Sequence, residues 1–207
     1  DLDLHLDFDL DPAGMTVPEV IRCTEIHGWG GRVTIGHVTK LSALPLAHLR
    51  EIAQALAVAG VQVTCLPSTD LFLTGRDQFH NKPRGLAPLQ QLHECGVTCS
   101  ISTNNLGNPF TPYGDASLVR QANLFANVSQ LGTEAQLQRC LDWVSNESAR
   151  LLRLTDYGLE PGCRADFLVF EAPTPGAVVA RISAPLMGFK AGRQTFERRL
   201  PQICRPD

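Results

Sequence analysis

No apolar run in this chain approaches the roughly 20 residues that a membrane-spanning helix needs. No Lys/Arg cluster stands out and the formal net charge is −3, which argues against a nucleic-acid partner. The seven cysteines, Cys23, Cys65, Cys95, Cys99, Cys140, Cys163 and Cys204, include no C-x-x-C pair, so neither a zinc-thiolate site nor a disulfide framework is expected. Several sit in apolar stretches, where a free cysteine behaves as a small hydrophobe, and reduced thiols in a cytoplasmic protein are the expectation. A G-x-S-x-G elbow, a P-loop and a Ser-His-Asp spacing are all missing, which removes the familiar serine-hydrolase and nucleotide-phosphate readings. No signal-peptide pattern is present, and the first residue is Asp1 rather than Met, so a preceding segment is left as an open expectation.

What is present is an alternation of strand and helix patterns. The 207 residues, 43% hydrophobic and 19% charged, suffice for one sizeable core with an appendage. Residues 1–8 alternate Leu with acidic or His residues at period two, a strand signal. Residues 18–29 read as a helix ended by Gly28, Gly30 and Gly31, and residues 32–38 as the next strand. A helix over 45–59 stops at Gly60, followed by a strand over 61–66 and a long loop over 67–84. A helix over 85–95, a strand over 97–102, and helices over 116–129 and 133–152 follow, the last N-capped by Thr133. Four strand–helix units in series imply a parallel sheet with right-handed crossovers. The tail changes character, with strands expected in 162–172 and 181–196, so residues 1–155 and 156–207 are expected to be separate units.

Three strand ends carry polar residues: His5 and Asp7, then His37, then Asn104 and Asn105. Ligands of parallel α/β folds gather at the carboxyl ends of strands. Imidazole nitrogen and carboxylate oxygen are the usual ligands of a hydrolytic Zn²⁺ or Fe²⁺, which makes hydroxide available near neutral pH. Period-two alternation places Asp7 and Asp9 on the face of His5 and Phe8 on the other. An Asn pair after a strand also suits a left-handed turn. The loop around Arg76, His80 and Arg84 reads either as a substrate lid or as a solvated connection.

Several of these stretches resemble, in order, the cytosine deaminase branch of the amidohydrolase superfamily. Thr103-Asn104-Asn105-Leu106-Gly107-Asn108-Pro109-Phe110-Thr111-Pro112-Tyr113-Gly114 is similar to that branch's eighth-strand wording, T-D-N-x-x-D-P-F-x-P-x-G. Leu4-His5-Leu6-Asp7-Phe8-Asp9 looks like its fifth-strand motif, and Gly31-Arg32-Val33-Thr34 with Gly36-His37 looks like its sixth. Gly75-Arg76 and Pro83-Arg84-Gly85 match its loop after strand seven. Leu159-Glu160-Pro161-Gly162 and Ala165-Asp166-Phe167-Leu168-Val169-Phe170 match its return into a β-sandwich.

The resemblance implies an α/β fold: strands five to eight of a TIM-type (β/α)8 barrel, with part of a C-terminal β-sandwich. It implies metal-dependent hydrolysis of a C–N bond in a small cyclic amide or amidine, with Zn or Fe(II). His5 takes the place of a metal ligand and His37 that of the His contacting metal-bound water. Asn104 stands where the family has its metal-binding, proton-accepting Asp, and Phe8 where it has the Glu that protonates the ring nitrogen. Asn105, Phe110 and Arg76 fall at substrate-facing positions. An amide accepts no proton near neutrality and phenylalanine has none to give. The family's first-strand H-x-H pair has no counterpart in this chain. The resemblance therefore also implies a non-catalytic relative as the alternative. A half-barrel would expose two strand edges and an unpacked inner face, so a missing N-terminal barrel half or a second copy is expected as partner.

Overall fold

The computed structural model describes residues 1–199 and 201; Cys204 lies outside the described residues. Strands β1 (Leu2–Leu6), β2 (Val33–His37), β3 (Val61–Cys65) and β4 (Cys99–Ile101) form one parallel sheet in chain order. The crossovers carry helices α1 (Val17–His27), α2 (Leu46–Ala59), α3 (Pro67–Leu73) and α4 (Leu89–Glu94). After β4 come α5 (Leu118–Val128), α6 (Glu134–Asp142) and α7 (Asn146–Leu151). These four βα units form the parallel sheet that the alternation implies and match the partial TIM-type barrel that the resemblance implies.

The outward-facing residues Val33, Ile35, Val61, Val63 and Cys99 form the core with Leu49, Ile52, Leu56, Leu89, Leu92 and Phe125 of the helices. The inward face is polar instead. In register across the strands stand Asp3, Thr34 and Gln62, then His5, Gly36, Thr64 and Ser100. Thr34 Oγ1 donates to Gln62 Oε1 at 3.0 Å, and the Thr64 and Ser100 hydroxyls meet at 2.7 Å. The inner face borders a cleft: its polar groups hydrogen-bond to one another across strands, and Leu118, Ser148 and Leu151 line the same cleft.

Three element boundaries also differ from the sequence reading. The loop expected over 67–84 opens with α3, because Pro67 suits a first helical turn and Leu71 follows at apolar spacing. The helix expected over 85–95 starts only at Leu89, after Pro88. The single helix expected over 133–152 is two, α6 and α7, broken at Trp143. Trp143 is buried against Phe125 and His93, and its carbonyl accepts from Ile101 N at 3.0 Å and Ser148 Oγ at 2.7 Å. The break hands a backbone acceptor to the outer edge of β4, so that edge is partly closed. The outer edge of β1 has no strand partner among the described residues. The Thr133 cap is present as a full capping box with Gln136.

The C-terminal segment forms an antiparallel sheet of β5 (Phe167–Phe170), β6 (Pro185–Lys190) and β7 (Arg193–Glu197). Between β5 and β6 lies a helix the sequence reading missed, α8 (Pro175–Ala180), which packs on α6 and α5. Asn123 Nδ2 donates to Val179 O, and Gly176 N donates to Glu134 Oε1. Among the described residues no helix is long and apolar enough to cross a membrane.

Candidate functional site

The carboxyl ends of β1 and β2 are bent by the same device. Asp7 leaves β1 with φ 51°, and His37 and Val38 leave β2 with φ 69° and 42°. Left-handed geometry at a β-branched Val is costly, on the order of 1–2 kcal/mol, and persists only where neighbours fix it. Here they do. Val38 N donates to Leu6 O, Lys40 N to Asp7 O, and Thr39 Oγ1 to Phe8 O.

The bend at Asp7 overturns the period-two reading of this strand end. It turns the Asp7 carboxylate away to the start of α1, where it accepts from Thr16 N, Thr16 Oγ1 and Val17 N at 2.7–3.0 Å. The residue at the helix start, Thr16, makes no side-chain cap of its own. Asp7 takes that job. Asp9 pairs with Lys40 at 3.4 Å. Phe8, expected on the face away from His5, is instead brought to the site, its ring edge-on to His37 with centroids 5.1 Å apart.

His37 is the centre of the cluster. Its Nε2 lies 3.0 Å from His5 Nδ1, and its Nδ1 lies 2.6 Å from Asp70 Oδ1. Asp70 belongs to α3, has no exposed surface, and accepts from Leu66 N with its second oxygen. Burial pushes the Asp70 carboxyl above the usual carboxylate range, and the hydrogen bond from His37 pulls it part of the way back. His5 is half exposed and lies over Gly36, where a Cβ would stand 3.6 Å from His5 Nε2. Sequence reasoning missed Asp70 because it assigned residues 67–84 to a loop. The available signal was Pro67-Ser68-Thr69-Asp70 followed by Leu71-Phe72-Leu73, a helix start leading into an apolar turn.

The other predicted site residues lie on the loop after β4 and the loop after α3. Asn104 is exposed with φ 60°, the left-handed turn geometry that the Asn pair suits. Asn105 Oδ1 accepts from Asn108 Nδ2 at 2.9 Å. Asn108 in turn accepts from Phe110 N, and the Phe110 ring is exposed. Arg76 is exposed and sits over the Phe72 ring at 5.1 Å, with Phe72 edge-on to Tyr113. The structure thus brings together His5, His37 and Phe8, while Arg76 contacts a different cluster. An apolar cavity lies elsewhere, on the outer face under α1, lined by Leu2, Leu4, Val20, Cys23, Trp29 and Val33.

A hydrolytic zinc or iron needs at least three protein donors plus a water. No group of three His, Cys, Asp or Glu among the described residues is placed to hold a metal ion. His37 has both ring nitrogens in hydrogen bonds, and Asn104 offers only a neutral amide. The donors of these residues alone do not fit such a metal.

Residues 1–196 match the model of the Amidohydrolase family. A pterin deaminase from Rhizobium rhizogenes (strain K84 / ATCC BAA-868) is 25% identical over 203 residues, covering 97% of this chain and 46% of that protein. The crystal structure of 5-methylcytosine deaminase from Klebsiella pneumoniae with 5-fluorocytosine superposes with a TM-score of 0.91. It is 26% identical over 99% of this chain and 50% of that one. A mutant atrazine chlorohydrolase from Arthrobacter aurescens TC1, complexed with zinc and atraton, shares the fold with a TM-score of 0.65. It is 24% identical over 99% of this chain and 46% of that one. The chain spans about half the length of these relatives.

Proposed function

This chain belongs to the amidohydrolase family, and from that premise we propose that it carries half of a deaminase-type active site, whose reaction is hydrolysis of a C–N bond in a small cyclic amidine or amide with release of ammonia. The observation that carries this reading is the pair His5 and His37, in hydrogen-bond contact at the carboxyl ends of adjacent parallel strands. In this reading residues 1–155 are the barrel half and residues 156–207 part of a β-sandwich. The Zn²⁺ or Fe²⁺ that would supply an activated water takes most of its ligands from outside the described residues, from a missing N-terminal barrel half or a second copy. His5 is this chain's ligand. His37 orients it, and Phe8 shields the His37 ring from water on one side. Asn105 and Phe110 on the loop after β4, and Arg76 on the loop after α3, would contact substrate.

A second reading is favoured by Asn104 and Phe8, which remove both a proton acceptor and a proton donor from positions the family uses. In it the chain is a non-catalytic relative that retains recognition of the ring.

Ammonia release from 5-methylcytosine, pterin and related cyclic amidines, with Zn²⁺ or Fe²⁺ supplied, tests the two. The chain is assayed alone and co-expressed with the N-terminal half of the Rhizobium rhizogenes pterin deaminase. Ammonia only from the combined halves supports the deaminase reading. A combined protein that binds metal and ring but releases no ammonia refutes it in favour of the second.

A further inference from the structure

The break between α6 and α7 gives the Trp143 carbonyl its partners but leaves the indole without one. Trp143 is 1% exposed, and its Nε1 has no hydrogen-bond acceptor among the described residues. A buried N–H left unanswered costs about 1–3 kcal/mol, and folded proteins keep few of them. The indole closes the inner end of a cleft of about 230 Å³ between α4 and α6. One water needs only about 10–15 Å³ of such a space, so there is room for a molecule of several atoms. Ala135, Arg139 and Trp143 stand four residues apart along α6 and its end, which puts them on one face. His93 faces them from α4, and Leu131 adds an apolar wall. Arg139 is exposed and forms no ion pair among the described residues. Burial, and then the Arg139 charge, hold His93 below the usual histidine range, so its ring is neutral at neutral pH.

We propose that this cleft binds a short-chain monocarboxylate, whose carboxylate pairs with Arg139 and accepts from Trp143 Nε1 while its alkyl end lies against Leu131 and Ala135. The donors on offer select that chemistry. A planar guanidinium matches a carboxylate with two parallel N–H···O bonds, and a carboxylate has lone pairs left for the indole. A dianion such as phosphate meets a single free cation, a neutral His93 and the acidic Glu94, whose Oε1 already accepts from Gln90 Nε2 at 3.2 Å. A neutral amide of the same shape answers the indole but leaves Arg139 without a counter-charge. Water answers the indole alone and leaves the apolar wall wet. The site goes beyond the deaminase reading and needs neither metal nor turnover.

The test follows the indole Nε1–H signals of the ¹⁵N-labelled full chain at neutral pH and constant ionic strength. The chain has two tryptophans, and the Trp143 signal is the one that survives in Trp29→Phe. Sodium butyrate is titrated in, with butyramide and sodium chloride as controls. The expected result is a saturable downfield shift of the Trp143 proton, half complete at roughly 1–10 mM butyrate, with Trp29 unmoved. Butyramide, and butyrate added to Arg139→Gln, should each bind about tenfold more weakly or worse. Arg139 is exposed, so that variant keeps the fold, and an unchanged Trp29 signal checks it. No saturable shift, or one that chloride reproduces, means that the cleft holds only water and overturns the proposal. Equal binding of butyramide, or of butyrate by Arg139→Gln, overturns it as well.

Discussion

At the scale of single residues, the left-handed Asp7 separates structural carboxylates from functional ones. Its four hydrogen-bond contacts at the start of α1 make it a cap. Asp7→Ala is expected to cost about 2–3 kcal/mol in urea unfolding, and a loss under about 0.5 kcal/mol would refute the capping role. Asn104 invites the opposite experiment. Aspartate tolerates the φ of 60° found there, so Asn104→Asp restores a carboxylate without disturbing the turn. In a chain completed by its missing ligands, this variant is expected to bind zinc at least tenfold more tightly by competition with a chromogenic chelator; unchanged affinity would remove Asn104 from the metal position. The positions of His5 and His37 at adjacent strand ends were legible in the sequence because polar residues there stand out from apolar runs. The placement of Phe8 was not, because period-two reasoning presumes extended backbone, and β1 ends at Leu6 with a left-handed residue at Asp7. Asp70 was hidden for a different reason: nothing local to α3 announces a partner 33 residues earlier.

Helices and strands show where local pattern suffices. α2 runs from Leu46 to Ala59 and stops where Gly60, at φ 69°, ends it as read. Gly60 is also packed against the turn before β2, where an added Cβ would lie 2.9 Å from Gly31 N. Gly60→Ala is therefore expected to cost at least about 2 kcal/mol, against about 1 kcal/mol for left-handed strain alone, measured by thermal or urea unfolding. The break between α6 and α7 was illegible because its cause is tertiary: the Trp143 carbonyl is drawn to β4. In the C-terminal sheet, Lys190 and the backbone N–H of Ala191 hold the Asp166 carboxyl below the usual aspartate range. A lowered folded-state value stabilises above the unfolded one and is lost as pH falls through the folded one. Asp166→Asn should thus lower the thermal midpoint at neutral pH, and its deficit should shrink below about pH 4 and then vanish. A deficit independent of pH would mean the pair contributes nothing through charge.

For the whole molecule, βα alternation and the order of motifs were enough to reach a half-barrel with a β appendage. The docking of α8 onto α5 and α6 was not legible, because no pattern within residues 175–180 specifies its partner. The polar inner face of the sheet is the feature that unites fold and function. It keeps Thr34, Gln62, Thr64 and Ser100 satisfied without an apolar plug, while the top of the same sheet gathers His5, His37 and Asp70. That arrangement supports a site with one oriented imidazole and too few further donors. The measurement that bears most directly on this account is zinc bound per chain after equilibration with excess metal, read together with assembly state by sedimentation. The account predicts that a monomer of this chain retains far less than one equivalent. A monomer that holds one zinc tightly, and loses it in His5→Ala, would contradict the claim that the site is completed from outside.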